Sequence, residues 1–283
     1  MSGKVTPEMV KQLRERTGVG MGKCKEALDQ AGGNIDDAID ILRKAGMASA
    51  VKKEGRETNE GLIAAAEGKD ALALVEVNAE TDFVTQNEKF KLFMADVALE
   101  AAETKPATLE AFMQQPYRKD PSMTIDQYRA LVIQSLGENI QVRRFLVIPK
   151  SQELSVGTYS HMGGKILSAV VLTGGSGNEA LARDIAMHVA AESPDYLRPD
   201  DVPQEVRDKE AEIARGQVQG KPENIVDKIV EGKIKAFCEQ VCLICQKYVR
   251  DNSVTITGLL ENESKRHGKP MTIQSFVRWN VGG

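Results

Sequence analysis

Cys238, Cys242 and Cys245 stand at C-x3-C-x2-C spacing in the stretch AFCEQVCLICQKYV. Thiolates at that spacing could hold three corners of an iron–sulfur cluster from one loop. Packing is the competing explanation: Val241, Leu243 and Ile244 are interleaved with them, and free cysteine ordinarily behaves as a small buried hydrophobe. TGGSGNE, residues 173–179, is rich in glycine. It lacks the Gly-Lys-Ser/Thr ending of a P-loop and the GxGxxG order of a dinucleotide site, so it reads as a strand-to-helix turn. His161, His188 and His267 lie far apart in the chain with no metal-ligand spacing, and His188 in AMHVAA reads as a helix histidine near the core. No serine or cysteine is flanked by a nucleophile elbow. These residues point to no catalytic site, no metal and no cofactor.

A different chemistry is offered by NAETDFVTQNEKF, residues 78–90. A strand-like run, ALALVEV, ends just before it and a helix-like run begins just after it. Phe83 sits in the turn between them, directly after Thr81 and Asp82 and before Val84. Thr85 with Glu88 reads as a capping box, which puts Val84 at N′ opposite Lys89 at N4, a poor hydrophobic staple. Asp82 beside Phe83 brings a charge that a buried corner disfavours. Two readings stay open on these residues: Phe83 folds back to close its own sheet, or it projects into a partner.

The chain that must position this turn has 283 residues, 41% hydrophobic and 28% charged, with net charge −4 and pI about 5.6. A folded core is expected, and a non-specific nucleic-acid binder is disfavoured for want of a basic surface. No apolar run approaches the ~20 residues of a membrane span. The N-terminus MSGKVTPEMVKQLRERTG has no apolar h-region, and four cysteines in a chain this long make no disulfide framework. A cytoplasmic protein is expected.

Residues 6–45 read as three short helices: one with Thr6 as N-cap and Pro7 in its first turn, KCKEALDQA ending at Gly32–Gly33, and IDDAIDILRKAG capped by Asn34. Acidic Asp36, Asp37 and Asp40 argue against the third helix lying in a DNA groove. Residues 46–60 read as a charged linker, helical at its start. Beyond it is a weak internal repeat, two strands around a glycine turn and then a helix, seen at GLIAAAEGKDALALVEV and again at VGTYSHMGGKILSAVVL. The second helix reads as boxed by Ser176 and Glu179. A later strand completes each copy, NIQVRRFLVI for the first and TIQSFVRWNV for the second. Residues 204–236 interrupt the second copy as two helical patterns around a QGKP turn. The fold class is α+β: a small N-terminal three-helix domain, then a two-subdomain core of antiparallel sheets backed by helices, with an inserted helical hairpin.

Seven blocks carry a resemblance. LRERTGVGM, an Asp/Asn-rich third helix, EVNAETDFV, GENIQVRR, YSHMGGKI, IAMHVAAESP and GKPENIVDKIVEGK follow one another in the order found in the bacterial elongation factor Ts family, which the chain resembles over most of its length. The resemblance implies a guanine-nucleotide exchange factor for elongation factor Tu, one that binds its partner GDP-bound and nucleotide-free and performs no covalent chemistry. It implies a ubiquitin-associated-like domain over residues 1–53, core subdomains over 54–149 and over 150–203 with 237–283, and the hairpin over 204–236. It implies that Thr81, Asp82, Phe83 and Val84 approach the magnesium and phosphate end of the partner's nucleotide site, with Phe83 as a wedge. By the same matching, Arg14, Met21, Leu136, Gly137 and His161 are partner contacts, His161 near the phosphate-binding loop. No direct nucleic-acid or membrane contact is implied, and a dimer of heterodimers is admitted. The family's usual tail runs on as a further helix past Val281, so its C-terminal contact is not expected of a sequence that reaches Gly283.

Two other functions remain in view. The cysteine spacing matches that of radical enzymes that use S-adenosylmethionine, but a large barrel follows the motif there and 38 residues follow Cys245 here. A binding scaffold without effect on nucleotide exchange is the third.

Overall fold

The computed structural model describes residues 5–218 and 222–283. Gln219, Gly220 and Lys221 of the QGKP turn lie outside the described residues, as do the first four residues of the chain. The chain divides into two compact units, one of Met1–Pro149 with Gly163–Lys165 and Asn280–Gly283, the other of Lys150–Met162 with Ile166–Trp279.

The first unit opens with three helices, α1 (Pro7–Thr17), α2 (Met21–Gln30) and α3 (Ile35–Lys53). Thr6 Oγ1 accepts from the Met9 N–H at 3.3 Å, and Asn34 Oδ1 accepts from Asp36 and Asp37, so donors left free at two helix starts are satisfied. Leu13, Val19, Cys24, Leu28, Ala38 and Leu42 form the apolar seam between the helices. α3 runs past the expected linker start to Lys53. The reason is packing on α7 (Ile125–Leu136), with Ala50 buried and Gly46 so close that a Cβ there would meet the Ala130 carbonyl at 3.2 Å.

Next come β1 (Glu60–Glu67) and β2 (Ala71–Ala79), paired antiparallel with Leu62 opposite Val77. β5 (Ile140–Pro149) pairs on the other side of β2, giving the order β1-β2-β5. β2 is buried along its whole length. Its Ala73, Val75, Val77 and Ala79 belong to the same core as Phe90, Phe93, Val97 and Ala101 of α5 (Glu88–Thr104), a cluster of large apolar groups that dominates burial in this unit. Between β2 and α5 stands the single-turn helix α4 (Asp82–Thr85). α6 (Leu109–Gln114), β3 (Pro116–Tyr117) and β4 (Asp120–Thr124) lead into α7, whose Thr124–Gln127 capping box is complete.

The second unit follows the same order. β6 (Leu154–His161) and β7 (Ile166–Thr173) pair antiparallel, α8 (Glu179–Glu192) follows, and β10 (Ile273–Asn280) lies on the far side of β7, giving β6-β7-β10. Between them are α9 (Gln204–Gly216), α10 (Glu223–Val241), β8 (Lys247–Tyr248), β9 (Asp251–Thr255) and α11 (Ile256–His267). The hairpin-plus-helix pieces β3–β4–α7 and β8–β9–α11, each helix capped by a threonine, belong to the internal repeat and escape sequence inspection because strands of two to five residues carry little periodicity. α10 runs beyond residue 236 through Cys238. Mixed helix with antiparallel sheet makes the fold α+β.

Candidate functional site

Each expected helix start around the turn differs in the structure. Thr85 is not a cap: it is the buried last residue of α4, and its hydroxyl donates to the Asp82 carbonyl at 2.7 Å. Thr81 caps α4 instead, accepting from the Val84 N–H at 3.4 Å, and Asn87 caps α5, accepting from the Lys89 N–H at 2.9 Å. Ser176 likewise does not cap α8; Asn178 holds that position, and Glu179 accepts from the Gly177 N–H at 3.1 Å. That hydrogen bond holds the Glu179 carboxyl below its usual range.

The new cap settles the corner. Val84 and Thr85 point inward, Val84 only 8% exposed, while Asp82 is exposed and Phe83 is 85% exposed. The reading in which Phe83 closes its own sheet is corrected, because Val84 fills that corner. A phenylalanine left in water forgoes about 1.5–3 kcal/mol of burial, so its exposure on an ordered turn is the informative feature of this unit.

Hydrogen bonds tie down this turn and the segments around it. Glu138, just after α7, takes both the Thr81 N–H (3.0 Å) and the Thr81 hydroxyl (2.7 Å) on its carboxylate. Lys89 Nζ, in the first turn of α5, donates to the Gly18 carbonyl (2.5 Å) and to Ser135 Oγ (2.6 Å), and Ser135 Oγ donates to the same Gly18 carbonyl at 2.9 Å. Gly18 ends α1 in the left-handed conformation, three residues before Met21, which opens α2 and is 58% exposed. Leu136 is half-buried against the core, and Gly137 ends α7 exposed at φ 86°, where a side chain would be strained. Hydrogen bonds thus join the loop before Met21, the turn of Thr81 and Phe83, and the end of α7 that bears Leu136 and Gly137. Arg14 is exposed on α1. His161 belongs to the second unit, exposed at the end of β6 with its ring 6.1 Å from that of Tyr159. It is followed by Met162, 68% exposed at φ 51°. Sequence reasoning passed over Glu138 and Ser135, and took Lys89 only as a poor staple partner. Glu138 stood inside the quoted GENIQVRR block, and its role needed the fold.

The cysteines make an apolar cluster. Cys238 and Cys242 are buried with Val202, and Tyr196, Phe237 and half-buried Cys245 pack against them. Burial pushes the Cys242 thiol up to about 12, helped by the neighbouring cysteines, and raises that of Cys245 as well. Among the described residues no group of three His, Cys, Asp or Glu side chains is placed to hold a metal ion. His188 is fully buried in α8. Its Nδ1 accepts from the Val249 N–H at 3.2 Å, so Nε2 carries the proton and donates to Gln246 Oε1 at 3.0 Å.

Fold and corner together define an α+β protein that presents an exposed aromatic on a hydrogen-bonded turn, a kind of surface feature through which proteins often meet other macromolecules. Comparison with known proteins is specific. The model of the family described as elongation factor TS matches residues 80–283. Elongation factor Ts of Protochlamydia amoebophila (strain UWE25) is 59% identical over 278 residues, covering 98% of this chain and 99% of the relative. That of Chlamydia trachomatis serovar A is 46% identical over 275 residues, covering 97% and 98%, and that of Chlamydia felis is 44% identical over the same shares. The chain belongs to the elongation factor Ts family. It is a translation factor, with the family's role of exchanging guanine nucleotide on elongation factor Tu. Among the described residues no helix is long and apolar enough to cross a membrane.

Proposed function

We propose that the chain releases GDP from elongation factor Tu by inserting Phe83, with Asp82 beside it, at the magnesium and phosphate end of the partner's nucleotide site. The observation that carries this reading is the exposure of Phe83 on a turn whose Thr81 is bonded to Glu138 and in turn caps α4. Thr81 and Val84 are the mount, one capping α4 and one buried beneath it. Phe83 wedges between helices of the GTPase domain and disturbs the groups that hold Mg²⁺. Arg14, Met21, Leu136 and Gly137 extend the contact, and His161 of the second unit meets the phosphate-binding loop.

No covalent chemistry is involved. The factor binds GDP-bound and nucleotide-free partner and prefers the latter. By linkage, nucleotide then binds less tightly by the same factor. Each tenfold in release rate requires about 1.4 kcal/mol, and burying one phenylalanine supplies about 1.5–3 kcal/mol, so Phe83 accounts for one to two decades and the remaining contacts for the rest. The helices α1–α3 serve as a ubiquitin-associated-like docking domain over residues 1–53, ahead of core subdomains over 54–149 and over 150–203 with 237–283, and the inserted hairpin of 204–236 adds a contact arm. The factor works in the cytoplasm, contacts no nucleic acid or membrane directly, and can assemble as a dimer of heterodimers.

The test is stopped-flow release of a fluorescent GDP analogue from elongation factor Tu. Phe83→Ala is expected to lower the maximal rate by ten- to about a hundredfold. A maximal rate unchanged at saturating factor rules the insertion out.

A further inference from the structure

α4 has four residues, too few for a helix to hold itself in water. Burial of Val84 and Thr85 holds one side of it. The other constraint comes from 57 residues away, where the Glu138 carboxylate receives the Thr81 N–H and hydroxyl on separate oxygens. The hydroxyl hydrogen bond has a directional consequence. Thr81 Oγ1 must accept from the Val84 N–H to cap α4, and it can do so only with its own proton turned away. Glu138 is where that proton goes.

One residue back from Thr81 and one residue on from Glu138 the pairing is reciprocated. Glu80 accepts the Asn139 N–H at 2.6 Å and Arg56 at 3.3 Å, while the fully buried Asn139 amide donates to the Arg56 carbonyl at 3.0 Å and the Glu54 carbonyl at 3.4 Å. Glu80–Thr81 and Glu138–Asn139 therefore form a two-residue clasp in which each backbone supplies an N–H and each strand of the clasp a carboxylate. Charge-assisted hydrogen bonds of this kind are the strong ones.

We propose that Glu138 is a positioning residue for nucleotide exchange: it fixes the N-cap of α4 and with it the direction in which Phe83 leaves the turn. The proposal rests on the reading that Phe83 is the inserted group. A side chain ordered before binding meets its target without the entropy loss of being ordered there, so Glu138 acts on the rate at saturation by orienting the turn.

Maximal release rate and half-saturating factor concentration are measured for the unaltered chain, E138A, E138Q, T81V, F83A and the double variant E138A/F83A, with melting temperatures alongside. E138A is expected to lower the maximal rate about tenfold. T81V, which keeps the N–H but loses the hydroxyl, and E138Q, which keeps one acceptor oxygen, are expected to lose less. E138A/F83A is expected to be slower than F83A by much less than the factor E138A loses alone, because a turn without its aromatic has only Asp82 left to aim. Faster hydrogen exchange of the Thr81 and Val84 amides in E138A is expected beside the slower rate. A maximal rate unchanged in E138A and T81V, or a double variant whose loss is the product of the single losses, overturns the role given to Glu138. So does a lower melting temperature with no change in maximal rate. F83A at the unaltered rate overturns the insertion reading itself and takes the Glu138 role with it, so the two failures are told apart by the single F83A variant.

Discussion

The carboxylate of Glu76, fully buried in the middle of β2, accepts the backbone N–H of Gly282 at 2.8 Å. Its other oxygen takes Arg144 Nε at 2.7 Å, and Arg144 Nη2 reaches the Asn280 carbonyl at 3.0 Å. One buried charge thus holds the last residues of the described chain to the sheet of the first unit. Removing one partner of such a pair strands the rest. Glu76→Ala is expected to lower the unfolding free energy by about 2–3 kcal/mol, allowing for the partial exposure of Arg144, and Glu76→Gln by less. Urea unfolding measures both, and a change under about 0.5 kcal/mol in the alanine variant contradicts the account.

Adjacent residues at the turn are expected to separate stability from activity. Phe83→Ala removes a side chain that packs on little of its own protein, so its unfolding free energy stays within about 0.5 kcal/mol of the unaltered chain while nucleotide release slows. Val84→Ala removes buried methyl groups and costs about 1–2 kcal/mol. Thermal melts and the release assay, run on both variants, check the contrast.

His188 predicts an acid-sensitive second unit. Burial lowers its pKa from the ordinary value of 6.5, with the Gln246 hydrogen bond and Glu192 opposing. The folded state holds it neutral, so the unfolded chain takes up the proton first. Stability is therefore complete above about pH 6.5 and falls as pH drops from there toward the lower folded value. His188→Gln is expected to flatten that part of the profile. Denaturant midpoints at pH 7.5, 6.5 and 5.5 read it out.

The thiols give a simple accessibility prediction. With Cys24, Cys238 and Cys242 buried and Cys242 raised to about 12, a disulfide reagent at pH 7.5 is expected to leave these three unreacted in the native protein and to modify Cys245 slowly. All four cysteines of the chain react once guanidinium unfolds it. Fast native labelling of Cys242 would show the cluster to be open.

Much of this was legible in the residues. The caps Thr6 and Asn34 act within three residues of their targets, and helix and strand periods are likewise local, so α1 to α3 and the strands β1, β2, β6 and β7 could be read directly. The order of seven motif blocks identified the family, because order along a chain is a property of sequence. The cap at Thr85 could not be excluded locally: Thr-x-x-Glu is a valid box, and only the burial of Thr85 and the carboxylate at Glu138 made Thr81 the better one.

The direction of Phe83 belonged to the tertiary structure alone. Whether a turn aromatic closes its own core or faces water depends on which neighbour occupies the corner and on what grips the backbone beneath it. Val84 occupies it, and the grip comes from Glu138 and Asn139, more than 50 residues on along the chain. Local sequence determined that a strand, a turn with Asp82 and Phe83, and a helix follow one another. Only long-range packing, which brings the end of α7 against the end of β2, decided that the aromatic points outward.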